Sequence, residues 1–156
     1  VERGNAVLFE QLTAYRSELL GVVADISDAE AEIIPSGFNN NIRWNLGHLY
    51  TDQFLWLQAL TGERQPIPPE YMKWFGYGTN PADFAELTPS MAELKTLLRQ
   101  QPPAIRQMYG ERMEEVFPET EMGMFTVSQV LVRTIFHEGL HLSAILAIKR
   151  HLRILQ

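Results

Sequence analysis

Towards the end of the chain, Phe136-His137-Glu138-Gly139-Leu140-His141 sets two histidines four residues apart. On a helix that spacing puts both imidazoles on one face, one turn apart, where they can share a metal ion. Only two further histidines occur, His48 and His151, and there is no cysteine. A transition metal would therefore be held by imidazole or carboxylate, and the third ligand is found by elimination. His151 lies more than two turns beyond His141, roughly 15 Å along the axis at about 1.5 Å per residue, too far for a common ion. Standing among Lys149, Arg150 and Arg153, it reads as a solvated helix end whose charge suits the C-terminal dipole. His48 remains. Three imidazoles leave at least one coordination position for substrate or water. The competing reading is a hydrogen-bonded core in which Thr134, Gln53 or Asp52 satisfies the rings.

The same stretch matches His-Glu-x-x-His, in which the glutamate is the general base of a zinc metalloprotease. The extended form of that motif puts a third histidine where this chain has Ala147, and no peptide-binding edge strand is predicted, so the protease reading is a minor one. Two carboxylates are candidate proton carriers, Glu138 beside His137 and Asp52 one turn after His48. Asp52 is equally placed to orient His48 from outside the coordination shell. Arg133, one turn before His137, is a candidate to hold a carboxylate of thiol or substrate through its planar fork. Its plainer alternative is a place on the flank of the last helix.

These residues need helices to position them. Leu8, Leu12, Tyr15, Leu19, Val22 and Ile26 alternate by four and three, the seam of a first long helix. Ser27-Asp28-Ala29-Glu30 has the form of a capping box and predicts a short helix, ended by Pro35-Ser36-Gly37. Asn39-Asn40-Asn41 supplies an N-cap for a second long helix from Ile42 to Thr61, with Gly62 as its stop. His48 lies on the stripe of Trp44, Thr51 and Leu55, beside the inward face. From Glu63 to Thr88 prolines and glycines interleave with Tyr71, Trp74, Phe75, Tyr77 and Phe84. This predicts a long crossover, either a cover for the mouth of a bundle or a surface strap. Ser90 with Glu93 caps a third helix whose phase runs through Pro102-Pro103, which predicts a kinked helix or two nearly collinear pieces. Residues 115–125 read as loop. Thr126-Val127-Ser128-Gln129 opens a last helix, to about Leu152, with an inward stripe of Val130, Thr134, His137, His141, Ala144 and Ile148.

Four long amphipathic helices without a strand pattern predict an all-α four-helix bundle in one domain spanning 1–156, with a long connection between the second and third long helices. A formal charge of −6, without a basic cluster, argues against nucleic acid. No run reaches the roughly 18 uninterrupted apolar residues of a membrane span, and the polar start is unlike a signal peptide, so a cytoplasmic protein is expected.

The order of parts, Ile42-x-Trp44-Asn45-Leu46-Gly47-His48-Leu49 on one helix and His-x-x-x-His on the last, resembles the DinB/YfiT-like superfamily of metal-binding four-helix proteins. The resemblance covers essentially the whole chain. It implies an up-down-down-up bundle, a divalent ion such as Zn or Ni on His48, His137 and His141, and often a homodimer. Some relatives are transferases that use bacillithiol, mycothiol or glutathione, and others are called metal-dependent hydrolases. Three functions are therefore expected to compete. One is transfer of an external low-molecular-weight thiol to a small electrophile. Another is hydrolysis of a small substrate by hydroxide generated at the metal. The third is a non-catalytic metal-stabilised binding module, with Trp44, Trp56, Trp74 and the loop aromatics lining a small-molecule pocket.

Overall fold

The computed structural model describes residues 2–154; Val1, Leu155 and Gln156, which the expected domain includes, lie outside the described residues. Among them the chain forms six α-helices and no strand: α1 (Arg3–Val22), α2 (Asp28–Glu32), α3 (Ile42–Thr61), α4 (Glu70–Phe75), α5 (Met91–Tyr109) and α6 (Val127–Ile154). The predicted punctuation operates as chemistry. Ser27 and Glu30 exchange side-chain to backbone bonds at the start of α2, and Ser90 and Glu93 do so at α5. Thr126 and Gln129 form the same reciprocal pair before α6. Asn41 accepts from the Trp44 amide, and Gly62 closes α3 at φ 71°, a conformation that costs glycine little.

The four long helices pack in a ring in which α3 and α5 each contact neighbours that α1 and α6 complete: α1 on α5 and α6, α3 on α5 and α6. Their registers follow from cross-helix bonds. Lys149 reaches the Val22 carbonyl and Arg16 reaches Glu138, so α1 and α6 run the same way. His141 meets Asn45 and Thr134 meets Gln53, so α3 and α6 run oppositely.

The core departs from the predicted seams in a way that one residue explains. On α1 the expected stripe through Leu8, Tyr15 and Val22 sits one residue later: Phe9, Arg16 and Val23 are buried, and Tyr15 is exposed. Arg16, 2% exposed, takes a core position because every part of its guanidinium finds an acceptor. Nε and Nη2 donate to the two oxygens of Glu138 at 2.7 and 3.1 Å. Nη1 donates to the Leu98 carbonyl at 2.7 Å and to Gln101 Oε1 at 3.1 Å, and Nη2 also reaches Gln53 Oε1 at 3.3 Å.

The Leu98 carbonyl is free for this because Pro102, four residues on, has no N–H to donate to it. The proline pair expected to split or kink the third long helix therefore lies inside one continuous helix, and the orphan it creates is met by a cation from α1. On α6 the buried stripe is Val127, Val130, Leu131, Thr134, Glu138, Ile145, Ile148 and Leu152. His137, His141 and Ala144, expected at its centre, are half-buried at its edge beside α3.

The crossover, expected as irregular chain, contains α4 and a short 3-10 turn over Pro81–Asp83. Tyr71, Trp74 and Phe75 fall at helical spacing after Pro68-Pro69, a permissive start for a helical turn. α4 lies on α3, with the Phe75 ring directly over Gly47. α6 is long and apolar enough to cross a membrane by length and composition alone. Within the bundle its buried face carries Glu138 and packs on α1 and α3.

Candidate metal centre

Three elements build the site. α3 presents His48, α6 presents His137 and His141, and α4 covers His48 from outside. One ligand atom from each ring lies within 4.8 Å of the others, a cluster of metal-binding size. The Nε2 atoms converge: His137 to His48 is 3.3 Å and His137 to His141 is 3.1 Å.

The tautomers follow from the outer contacts. His48 Nδ1 is 2.7 Å from the Phe75 carbonyl, which can only accept, so Nδ1 carries the proton. His141 Nδ1 is 2.7 Å from Asn45 Oδ1. The Asn45 amide is not free to turn, because its Nδ2 donates to Asn40 Oδ1 and the Asn41 carbonyl. His141 Nδ1 is therefore also the protonated nitrogen. His137 Nδ1 lies 3.2 Å from Asp52 Oδ2, within ion-pair reach though not aligned as a hydrogen bond.

On His48 and His141, then, the proton on Nδ1 leaves Nε2 as the nitrogen that can present a lone pair towards the third ring. A lone pair facing a lone pair at this distance is repulsive unless a proton or a cation lies between them. One proton on His137 Nε2 can serve one neighbour at a time; a divalent cation serves all three. Holding Nδ1–H on an oxygen while Nε2 points at a shared centre is the usual arrangement of metal-binding histidines. The donor set therefore fits a transition metal, with fewer protein ligands than a closed tetrahedral site has.

Electrostatics point the same way. His137 is pulled down to about pKa 3, by burial first and then by the neighbouring His141, His48 and Arg133 charges. His141 is pulled down to about 4 by burial and by His48. Near neutrality both rings are uncharged, with one nitrogen free to donate to a metal. Burial raises the pKa of Asp52, against the opposing pull of His48, Arg133 and a Trp56 hydrogen bond. Trp44 stacks on His48 with centroids 4.7 Å apart, and its indole N–H donates to Thr79 Oγ1 at 3.0 Å. Thr79 in turn bonds the Trp74 and Gly76 carbonyls, which ties the crossover to the site.

The expected residues separate into two groups. His48, His137, His141 and Asp52 come together. Glu138 does not: it points into the bundle, and both its oxygens are bound to Arg16. One residue along a helix is a rotation of roughly 100°, which carries Glu138 away from the ring face. Its expected part as a proton carrier is corrected to that of a buried anion. Gln53 and Thr134 bond each other rather than the histidines. His151 is exposed, with Nδ1 on the Ala147 carbonyl, as a helix-end residue should be. Arg133 sits beside the centre, and its Nε and Nη1 are buried without an acceptor.

Sequence reasoning missed the oxygens that hold His48 and His141, and it set Asp52 behind His48 where the structure sets it beside His137 Nδ1. Asn45 was discoverable, three residues before His48 on the same face. The Phe75 carbonyl left no signal beyond Gly47, where a Cβ would come within 2.2 Å of the Phe75 ring. Against known families the chain matches the model described as the DinB superfamily over residues 11–145. None of the curated proteins matches it.

Proposed function

This chain belongs to the DinB superfamily, and on that premise we propose that it is a metal-dependent transferase joining an external low-molecular-weight thiol to a small electrophile. His48, His137 and His141 hold one divalent ion, Zn or Ni. The observation that carries this reading is the convergence of three Nε2 atoms whose rings are anchored from behind by Phe75, Asn45 and Asp52. A bound divalent ion would supply a lowered thiol pKa, so that thiolate is present at neutral pH. The thiol comes from outside, since the chain has no cysteine.

The protein's own residues orient and shield. Asn45 and the Phe75 carbonyl fix two rings in one tautomer, and Asp52 lies within ion-pair reach of the third. Trp44 and Phe75 keep water from the back of His48. In the reaction a sulfur–carbon bond forms, the bond to the leaving group breaks with its electron pair, and the thiol proton passes to solvent.

One observation favours a second reading, hydrolysis of a small substrate. The Asp52 carboxyl has a raised pKa and a buried Oδ2 without a hydrogen bond, features of a group that can move a proton near the centre. The helix registers support an up-down-down-up bundle as the frame for either chemistry. A homodimer in the cytoplasm is proposed as its setting. Support for the dimer is an exposed apolar stripe on α6, where Val132, Phe136 and Leu140 are 55, 61 and 52% exposed.

The test is conjugation of chlorodinitrobenzene with glutathione, bacillithiol or mycothiol by metal-loaded protein. Product above the uncatalysed rate, lost with chelator and in His141→Ala, is expected. Metal-dependent release of nitrophenol from nitrophenyl acetate, with no conjugation of any thiol, would replace the transferase reading by the hydrolytic one.

A further inference from the structure

The facing sides of α3 and α6 meet in rungs. Asn45 is opposite His141, and His48 is opposite His137. One turn further along each helix come Asp52 and Arg133. By the antiparallel register these two form the next rung, but nothing closes it. Asp52 Oδ2 faces His137 Nδ1 at 3.2 Å but has no hydrogen bond, and Nε and Nη1 of Arg133 are buried without one. Among the described residues no ion pair within 4.0 Å joins them. The guanidinium is propped over the Phe136 ring, 5.7 Å from its centroid.

Its charge nevertheless acts on both Asp52 and His137, so it lies within electrostatic reach of the centre. A partly enclosed cation without an acceptor is costly, more so than a neutral unpaired group. An anionic group of a ligand would supply the acceptors that Nε and Nη1 lack. Nη2 is not among the enclosed nitrogens, so an acceptor can enter from that side.

We propose that Arg133 is an anion clamp, holding the carboxylate of a small ligand whose other end reaches the position left open by His48, His137 and His141. Arg133 precedes His137 by one helical turn, about 6 Å of axial rise. The ligand class is a short carboxylate that also carries a metal-binding atom. Asp52, on the other side of the gap, suits a donor group on the same ligand. This deepens the metal-site reading and rests on it.

The experiment uses cobalt-loaded protein, whose visible spectrum reports the metal and its ligands. 3-Mercaptopropionate, which carries the carboxylate, is titrated beside 2-mercaptoethanol, which does not. With wild type the carboxylated thiol is expected to bind about 10 to 100 times more tightly, the range of a charge-assisted hydrogen bond. Arg133→Met is expected to bring the ratio to about one while the ligand-free cobalt spectrum stays as in wild type. Arg133→Lys should recover part of the ratio. Equal binding of the two thiols by wild type, or a ratio that survives in Arg133→Met, overturns the proposal. If no cobalt binds, the metal reading itself falls. The clamp is then read in metal-free protein by the rise in melting temperature with propionate. A rise in wild type that Arg133→Met lacks supports it, and no rise overturns it.

Discussion

Gly47→Ala probes how α4 holds the site. A Cβ at position 47 would lie 2.2 Å from Cδ1 and Cε1 of Phe75 and 2.5 Å from Cγ. Ordinary carbon contacts are about 3.5 to 4.0 Å, so the ring must move by roughly 1.5 Å. Phe75 is fully buried, with the Tyr71, Trp74 and Phe84 rings against it. The displacement therefore passes to α4 and to the Phe75 carbonyl, which stands 2.7 Å from His48 Nδ1. Carried back by about the same amount, that contact opens to about 4 Å and ceases to be a hydrogen bond. Overpacking costs about 1 to 3 kcal/mol, against about 1 kcal/mol gained from replacing a helical glycine. Net destabilisation is about 0 to 2 kcal/mol. Metal affinity should fall further, about 10 to 100-fold, as for other lost partners of ligating histidines. Competition with a chromophoric chelator measures the affinity, and urea unfolding measures the stability. Gly47→Ala combined with Phe75→Leu, which makes room, should recover most of the affinity. Wild-type affinity in Gly47→Ala alone would refute the assignment of the Phe75 carbonyl as the anchor of His48.

Three other outcomes are expected. Arg16→Met should cost about 3 to 5 kcal/mol in urea unfolding, because it strands the buried Glu138 carboxylate, and adding Glu138→Leu should restore most of that loss. Recovery of nothing would mean that the pair is not the relevant unit. His137 and His141 have folded pKa values below the unfolded value near 6.5, so the stability they contribute is present above pH 6.5 and is lost as pH falls towards about 4 and then 3. Metal-free protein should thus lose about 2 kcal/mol between pH 6.5 and 4, allowing for solvent that reaches part of each ring, and a flat urea profile over that range would contradict the burial argument. Phe136→Asp on the exposed face of α6 should convert a dimer to monomer by light scattering without altering the far-ultraviolet spectrum; an unchanged mass would remove that face as the contact.

What the sequence made legible was local. Capping pairs at Ser27, Ser90 and Thr126 and the glycine stop at Gly62 depend on neighbours a few residues apart, and they predicted the helix starts and that end. The His-x-x-x-His spacing depends only on helical periodicity, and His48 followed from a count of four histidines. The misplaced seam on α1 arose because Arg16 is a core residue only by virtue of Glu138, far along the chain. Hydrophobicity alone assigns such a residue to solvent. Glu138 failed as a proton carrier for the same reason. The unbroken helix across Pro102 likewise required a donor from α1 that no local pattern contains. The Phe75 carbonyl is a backbone atom, available from any residue type, so only the fold could select it.

Metal analysis of tag-free protein beside a His48→Ala variant tests the central claim most directly. About one Zn or Ni per chain in wild type, lost in the variant while its helical content is kept, is the predicted result. No bound metal in wild type, even after incubation with Zn and Ni, would contradict it and make the three rings a hydrogen-bonded cluster.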